Sequence, residues 1–320
     1  MQNKRSILRL KNSLSNTLTS FYPLAGTIED DFVVDCCDAG VEFIEARLNA
    51  QLMDVIQEPY VQDEKQYLPL VLTGYVGCVV ADGVAVGLCF SHKPEEKQAT
   101  KRFVFDNKKL AALKQVAASL DLKNPSRVEV VSVFFWKHLM EAAKSRNQED
   151  KKTFAAFQAV NLRARKIPPQ LLQNVFGNCF MVPFAISKST ECRDVEEFHD
   201  LTTKLRSAIR SINEEYIQKS QGGNSYLNDL FSLSPLLLKG ELDWCVFSSW
   251  CGFPVYEVDY GWGNPVWVCS SGWPLKNFTV LMSSRCGDGI EAWVSTSQEN
   301  IEMLETQIDL IPAATLPINS

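Results

Sequence analysis

The transition between the two lobes that we predict for this chain lies in residues 83–106, GVAVGLCFSHKPEEKQATKRFVFD. An apolar segment typical of a buried strand ends at Ser91-His92-Lys93, and KRFVF at 101–105 predicts the next strand. Only the charged string at 94–100 separates the two strands. Because such a string is typical of an exposed connection, we place the lobe boundary there.

The order of predicted elements around this boundary indicates an α/β protein. Helices interleave with many strands, but without the regular alternation of a doubly wound fold, which argues for mixed sheets in two lobes. We expect an N-terminal lobe over 1–97 and a C-terminal lobe over 98–320. The segment around 258–280 is expected to pack back on the N-terminal lobe.

Periodicity, capping residues and turn signals predict the individual elements. In the first half of the chain they are a helix ending before Pro23, two strands within 76–90 joined near Asp82-Gly83, a helix capped by Asp106 and a helix opened by the capping box Ser126–Glu129. Strands at 153–162 and 177–186 follow, then a long amphipathic helix from 195 to 216 and a loose segment at 219–229. The last elements are a strand at 243–250, a hairpin over 277–297 with Asp288-Gly289 in its turn, and a closing helix capped by Thr296 with Glu299.

Composition excludes several function classes. The 320 residues are 46% hydrophobic, which is ample for a core, and the net charge of −6 offers no basic stripe for nucleic acid. The N-terminus has no apolar signal region, and the apolar run at 76–90 is too short for a membrane span. Ten cysteines without a CxxC pair predict reduced thiols rather than disulfides or zinc ligands. We therefore expect a monomeric, cytoplasmic protein without nucleic-acid or membrane partners.

Common catalytic motifs are absent from the chain. There is no GxSxG, GxGxxG or GxxxxGK[ST] sequence, which removes the usual grounds for a serine hydrolase, a Rossmann dehydrogenase or a P-loop enzyme. There is also no HExxH, so no local metal-ligand pair is encoded, and we expect no bound cofactor or metal.

The three histidines differ in their settings. His138 and His199 lie within predicted helices and are more typical of packed or surface residues. His92 directly follows a buried strand, where a rigid scaffold can hold an imidazole whose ordinary pKa suits a general base near neutral pH. A strand-end histidine that simply faces water is an equal alternative from position alone.

A second unusual stretch is Asp259-Tyr260-Gly261-Trp262-Gly263. Two glycines around a tryptophan suit a tight turn that packs an indole, and Asp259 could cap that turn or pair with an arginine. The sharper alternative is that Asp259 provides the carboxylate partner of His92.

These residues and several longer stretches resemble the plant acyl-CoA-dependent acyltransferases of the BAHD family, especially the alkaloid-acetylating branch. The resemblance runs in order along nearly the whole chain. It is carried by LKNSLSNTLTSFYPLAG, VDCCDAGVEFIEA, GVAVGLCFSHK, KRFVFD, SRVEVVSVFFWK, AVNLRARKIPP, FGN and SSWCGFPVYEVDYGWGNPVWV. It implies the two-lobed chloramphenicol-acetyltransferase-like fold, and transfer of an acyl group, typically acetyl, from acyl-CoA as co-substrate to an alcohol acceptor.

The family motifs HxxxD and DFGWG imply roles for particular residues. His92 matches the histidine and would act as general base, whereas Asp259 to Gly263 match the second motif, with Tyr260 in place of phenylalanine, and would be structural. The aspartate of the first motif is missing, and Glu96 stands at its spacing as a candidate substitute. That aspartate is expected to pair with an arginine, for which Arg163 and Arg165 are the candidates.

The same resemblance implies that segments are missing. Family members carry several tens of residues between the histidine motif and the strand at 101–105, and a further strand before the first helix. The alternative to an active enzyme is therefore a catalytically impaired or inactive shortened relative that binds acyl-CoA or a partner. A chain too incomplete to fold by itself is the third hypothesis.

Overall fold

The computed structural model describes a defined part of the chain. The described residues are 2–29, 33–41, 43–45, 74–81, 84–91, 99–118, 122–146, 153–163, 165, 179–188, 194–221, 225–259, 261, 263–270, 273 and 275–311. The chain divides into two compact units. Unit 1 comprises Met1–Leu72, Val76–Phe90 and Pro254–Ser271, and unit 2 comprises Thr73–Tyr75, Ser91–Phe253 and Gly272–Ser320. The lobe boundary near residue 97 stays a prediction.

Helices and strands alternate irregularly along the chain. In chain order they are α1 (Gln2–Ser20), a 3₁₀ turn (Tyr22–Ala25), β1 (Thr27–Glu29), β2 (Val33–Asp35), β3 (Gly74–Ala81), β4 (Val84–Ser91), β5 (Ala99–Phe105), α2 (Asn107–Ala117), α3 (Arg127–Arg146), β6 (Thr153–Asn161), β7 (Phe180–Met181), β8 (Phe184–Lys188), α4 (Asp194–Ser211), α5 (Glu214–Gln221), α6 (Ser225–Phe231), α7 (Ser234–Leu238), β9 (Leu242–Ser249), β10 (Trp267–Ser270), β11 (Phe278–Ser283), β12 (Ile290–Thr296) and α8 (Gln298–Leu310).

Two small sheets lie largely within unit 1. β1 and β2 form an antiparallel pair in which Ile28 lies opposite Val34. β3 is the central strand of a second sheet, hydrogen-bonded to β4 on one side and to β10 on the other. The β3 and β10 strands are antiparallel, with Cys78 opposite Cys269. The prediction of two strands within 76–90 is confirmed, while their connection at Asp82-Gly83 lies outside the described residues.

The large sheet of unit 2 has the strand order β5-β12-β11-β9-β6-β7, and β8 also pairs with β6. β6, β9 and β11 run parallel, while β12 is antiparallel to β11 and to β5. The hairpin predicted over 277–297 is therefore confirmed as β11–β12. The predicted strand at 177–186 is divided into β7 and β8, because Pro183 has no N–H for the ladder.

The core of unit 2 lies between this sheet and the helices α2, α3, α4 and α8. Ten side chains of α3 between Glu129 and Met140 are buried, so nearly every face of this part of the helix is covered by other residues. Phe105 packs edge-on against Phe134 and Phe135, with centroid distances of 5.5 and 5.7 Å. Edge-to-face aromatic packing adds to the stabilisation from buried area.

Three helix starts test the predicted caps. The backbone N–H of Lys109 donates to Asp106, and the Ser126–Glu129 capping box forms in both directions, at 2.6 and 3.1 Å. Both predictions are confirmed. The cap predicted at Thr296 is wrong by one residue: Ser297 accepts from the Asn300 N–H, because Thr296 completes β12 with a fully buried side chain.

The helical part after residue 194 also differs from the prediction of one long helix. α4 ends at Ser211, and α5 starts only after Asn213, whose side chain accepts from the Tyr216 N–H at 2.8 Å. Asparagine at this position ends one helix and caps the next. Part of the segment predicted to be loose, from Ser225 onward, is the helix α6.

A buried ion pair joins two helices of this core. Arg206 of α4 donates to both carboxylate oxygens of Glu129 on α3, at 2.9 and 2.7 Å. Two further guanidinium N–H groups donate to the backbone carbonyls of Lys123 and Asn124. These four hydrogen bonds offset part of the cost of burying the two charges.

Candidate active site

The candidate base follows β4, which ends at Ser91 and is hydrogen-bonded to β3. His92 is the next residue in the sequence after this strand. His92 and Glu96 themselves lie outside the described residues. Their roles as general base and as substitute for the motif aspartate stay predictions.

The DYGWG stretch contains a tight turn of unit 1. One carboxylate oxygen of Asp259 accepts the backbone N–H groups of Gly261 and Gly263, at 2.7 and 2.9 Å. Both glycines have positive φ, 94° and 105°, which only glycine adopts without strain. Tyr260 and Trp262 lie outside the described residues. This geometry supports the capping interpretation of Asp259.

The opening helix also contacts this turn. Arg9 of α1 donates to the Gly261 carbonyl at 3.5 Å. A side chain at position 261 would bring its Cβ to 2.8 Å from the Arg9 guanidinium nitrogen. Sequence analysis missed Arg9, because 252 positions separate it from its partner and no local pattern links them.

The carboxyl ends of the parallel strands of unit 2 form a second candidate region. The NLRAR segment begins with the last residue of β6, the SSWCGF segment begins with the last two residues of β9, and Ser283 ends β11. Because parallel strands end on the same edge of a sheet, these segments are neighbours, and this is the edge at which open α/β sheets usually bind ligands.

The two arginines of the NLRAR segment have different settings. The Arg165 guanidinium donates to the Ile209 carbonyl at 3.0 Å, near the C-terminal end of α4. The backbone N–H of Arg163 donates to the Asn161 side chain at 3.0 Å. The structure thus assigns Arg165 a capping contact, and pairing of either arginine with Glu96 stays a prediction.

Aromatic and polar groups surround the SSWCGF segment. The Trp250 ring lies 6.5 Å from the Phe253 ring and 6.1 Å from that of Trp273. The Ser283 hydroxyl donates to the Cys251 carbonyl at 2.9 Å. The loop after β9 is therefore held to the end of β11 by a hydrogen bond, and its aromatic rings pack against one another and against Trp273.

Cys251 at this edge and Cys245 further back in β9 are poor nucleophiles. Burial raises the pKa of the Cys245 thiol well above its ordinary value. Burial also raises the pKa of the Cys251 thiol, although hydrogen bonds with Ser249 and Ser283 work in the opposite direction. Thiolates are the reactive form, so neither group is suited to carry an acyl intermediate.

In the part of the chain that the structure describes, no group of three or more His, Cys, Asp or Glu side chains is placed to hold a metal ion. Among the same residues, no helix combines the length and the apolar character needed to cross a bilayer.

Comparison with known proteins identifies the class of this fold. The crystal structure of vinorine synthase superposes with a TM-score of 0.76 at 29% identity, covering 97% of this chain and 85% of that one. A protein of F. graminearum solved with coenzyme A and T-2 mycotoxin matches with a TM-score of 0.52 at 20% identity, covering 67% of this chain and 50% of that one. The fold is that of the coenzyme A-dependent acyltransferases.

Sequence comparison narrows the class to a family. The model of the transferase family matches residues 1–93 and 84–311. Stemmadenine O-acetyltransferase of Catharanthus roseus is 33% identical, over 93% of this chain and 82% of its own length. Vinorine synthase of Rauvolfia serpentina is 31% identical, over 93% of this chain and 83% of its own length. The chain therefore belongs to the transferase family and is an acyltransferase of the BAHD type.

Proposed function

We propose that the protein transfers an acyl group, most simply acetyl, from acyl-CoA to a hydroxyl group of a plant specialised metabolite such as an alkaloid. The observation that carries this proposal is the similarity to stemmadenine O-acetyltransferase and vinorine synthase along 93% of the chain. We expect it to act as a cytoplasmic monomer, with acyl-CoA as a co-substrate rather than a resident cofactor.

His92 is the general base of the proposed reaction. Its neutral imidazole takes the proton of the acceptor hydroxyl while that oxygen attacks the thioester carbonyl. The C–S bond then breaks, the new ester leaves, and the imidazolium returns its proton to the coenzyme A thiolate. General-base catalysis of this kind contributes roughly 10²–10⁴-fold in rate. The raised pKa of Cys251 favours this direct transfer over an acyl intermediate bound to that cysteine.

The turn capped by Asp259 has a structural role in this proposal. One of its carboxylate oxygens accepts two backbone N–H groups of its own turn, which supports this role.

Release of free coenzyme A tests the proposal. Purified protein is given acetyl-CoA and a panel of polycyclic alcohols, and thiol release is followed with a chromogenic disulfide while the ester product is identified by mass spectrometry. His92→Ala is expected to lower turnover roughly 10²–10⁴-fold, whereas His199→Ala serves as the matched control and keeps turnover. Turnover that is unaffected by His92→Ala would contradict the assignment of the base.

A second function is favoured by the length of the alignments. The alignment with stemmadenine O-acetyltransferase extends over 362 positions but contains only 93% of the 320 residues of this chain, about 298, so about 64 positions of that relative have no counterpart here. The two ranges matched by the family model overlap at residues 84–93, which include His92. A shortened relative could bind acyl-CoA without transferring it. Calorimetric binding of coenzyme A without consumption of the thioester, in a protein that unfolds cooperatively, would select this second function.

A further inference from the structure

Unit 2 contains a cavity of about 500 Å³ at the amino ends of its parallel strands. We call it the amino-end cavity. It is lined by Phe154 of β6, by Trp244 of β9, by Lys276 before β11 and by the C-terminal half of α3. The nine residues of β6 span roughly 25 Å at about 3.3 Å per residue. The cavity is therefore at the opposite end of the sheet from the NLRAR and SSWCGF segments.

The floor of the amino-end cavity is apolar and aromatic. Trp136, Met140 and Phe154 are 1–3% exposed, and Trp244 is 41% exposed, an unusual position for a large aromatic residue. A volume of this size lies within the range of about 300–1,000 Å³ typical of small-molecule sites. Aromatic rings at the base and at the mouth favour a flat, apolar ligand.

One wall of the cavity is held by a continuous chain of hydrogen bonds. The Arg146 guanidinium donates to Asn300 at 2.9 Å, and the Asn300 amide donates to the Thr296 hydroxyl at 2.8 Å. Thr296 donates in turn to the Asn277 side chain at 2.7 Å, whose amide donates to the Trp244 carbonyl at 3.0 Å. Thr296 and Asn300 are at most 2% exposed. The wall is thus formed before any ligand arrives, which lowers the entropic cost of binding.

Two polar groups of the cavity have no partner among the described residues. The indole N–H of Trp136 is buried and unpaired. Lys276 is exposed at the rim and makes no ion pair there, whereas Arg146 already bonds Asn300 and lies 3.5 Å from a Glu299 carboxylate oxygen. Asp243 is engaged in an interaction of its own. A ligand that offers an acceptor to the floor and a negative charge to the rim would satisfy both groups.

We propose that the amino-end cavity is a second small-molecule site, and that its ligand class is the aromatic carboxylates. The ring system packs among Trp136, Phe154 and Trp244, and the carboxylate pairs with Lys276. The site is separate from the acyl-transfer site and its occupancy does not require the proposed reaction.

A fluorescent aromatic acid tests the proposal directly. 1-Pyrenecarboxylate is titrated with the full chain and binding is followed by fluorescence anisotropy, with 1-pyrenemethanol as the uncharged matched probe. We expect a dissociation constant on the order of 100 µM for the acid. The alcohol is expected to bind about threefold more weakly, because an exposed ion pair contributes little.

Three variants locate the probe. Lys276→Gln should abolish the preference for the acid over the alcohol, whereas the exposed Lys239→Gln, which is not part of the cavity lining, should leave it unchanged. Ala143→Phe places a ring into the cavity and should weaken binding of both probes at least about tenfold. If Ala143→Phe lowers the unfolding midpoint, Trp244→Ala at the rim replaces it and should also weaken the binding of both probes.

Saturating coenzyme A separates this site from the reaction site. The probe's dissociation constant should be unchanged by coenzyme A, even if the protein shows no acyl transfer. Displacement of the probe by coenzyme A would overturn the proposal, because the probe would then occupy the acyl-CoA site. So would the absence of binding, or binding that is unaffected by both Ala143→Phe and Trp244→Ala.

Discussion

The Asp259 carboxylate accepts the backbone N–H of Gly263 at 2.9 Å and fixes a turn whose glycines have positive φ. The turn lies within unit 1, where Trp267 of β10 is opposite Val80 of β3, one strand away from the strand that His92 follows. We therefore expect this motif to have a structural role rather than to provide a reacting group.

Gly263→Ala should destabilise the protein. At a φ of 105° an alanine costs about 1–2 kcal/mol, because its Cβ approaches the following carbonyl oxygen. Gly252→Ala is the matched control, since that glycine has no positive φ and nothing within 4 Å of an added Cβ. Urea unfolding compares the two variants, and equal midpoints would contradict the strain argument.

Asp259→Ala should cost about 1–2 kcal/mol of stability, because two N–H groups lose their acceptor, whereas Asp259→Asn should retain most of it through the remaining amide oxygen. If Asp259 only caps the turn, the asparagine variant also retains turnover and its pH dependence. A large loss of turnover in Asp259→Asn with unchanged unfolding would instead support a partnership with His92.

The Glu129–Arg206 pair should make stability depend on pH. Burial alone would raise the pKa of Glu129, but hydrogen bonds from Arg206 and Ser126 lower it below 4.5. A lowered folded-state pKa means that the stabilisation is present above pH 4.5 and is lost as the pH falls through the folded-state value. Glu129→Gln should therefore lose less stability than the unmodified protein between pH 7 and pH 3, in calorimetric unfolding at several pH values.

The controls for this pair separate charge from packing. Arg206→Met should cost about 3–5 kcal/mol at pH 7, because it leaves a buried carboxylate unpaired. Glu215→Gln, an exposed position on α5, should not change the pH profile. If Glu129→Gln and the unmodified protein lose stability in parallel, the pair does not carry the acid sensitivity.

The thiols should divide into two classes on alkylation. Cys36, Cys37 and Cys286 are exposed, whereas Cys245 and Cys269 are buried. Brief iodoacetamide treatment followed by peptide mass spectrometry should therefore modify the first three and spare the other two. Modification of Cys245 in the folded protein would contradict the burial that raises its pKa.

Cys251→Ala should keep acyl transfer within about threefold, since the proposed reaction uses no cysteine nucleophile. A matched Cys245→Ala variant tests for a purely structural effect, because that thiol is buried within β9, the strand that precedes Cys251. Loss of turnover in Cys251→Ala alone, with an unchanged unfolding midpoint, would favour a covalent intermediate.

Features with a local physical origin were predictable from the sequence. The Ser126–Glu129 capping box and the Asp106 cap involve partners three residues apart, so their hydrogen bonds follow from the chain itself. The same reasoning placed the cap of α8 one residue too early, because it could not detect that Thr296 is needed inside β12.

The sequence by itself determined the family, the order of most elements and the strand that precedes His92, because periodicity, caps and motifs depend on residues that are close together in the chain. Only the tertiary structure decided that Glu129 pairs with Arg206, that Arg9 reaches Gly261 and that Trp136, Trp244 and Lys276 share a cavity. The first two contacts join positions that are 77 and 252 residues apart. Which distant side chains meet depends on how the whole core packs, and no local pattern encodes that.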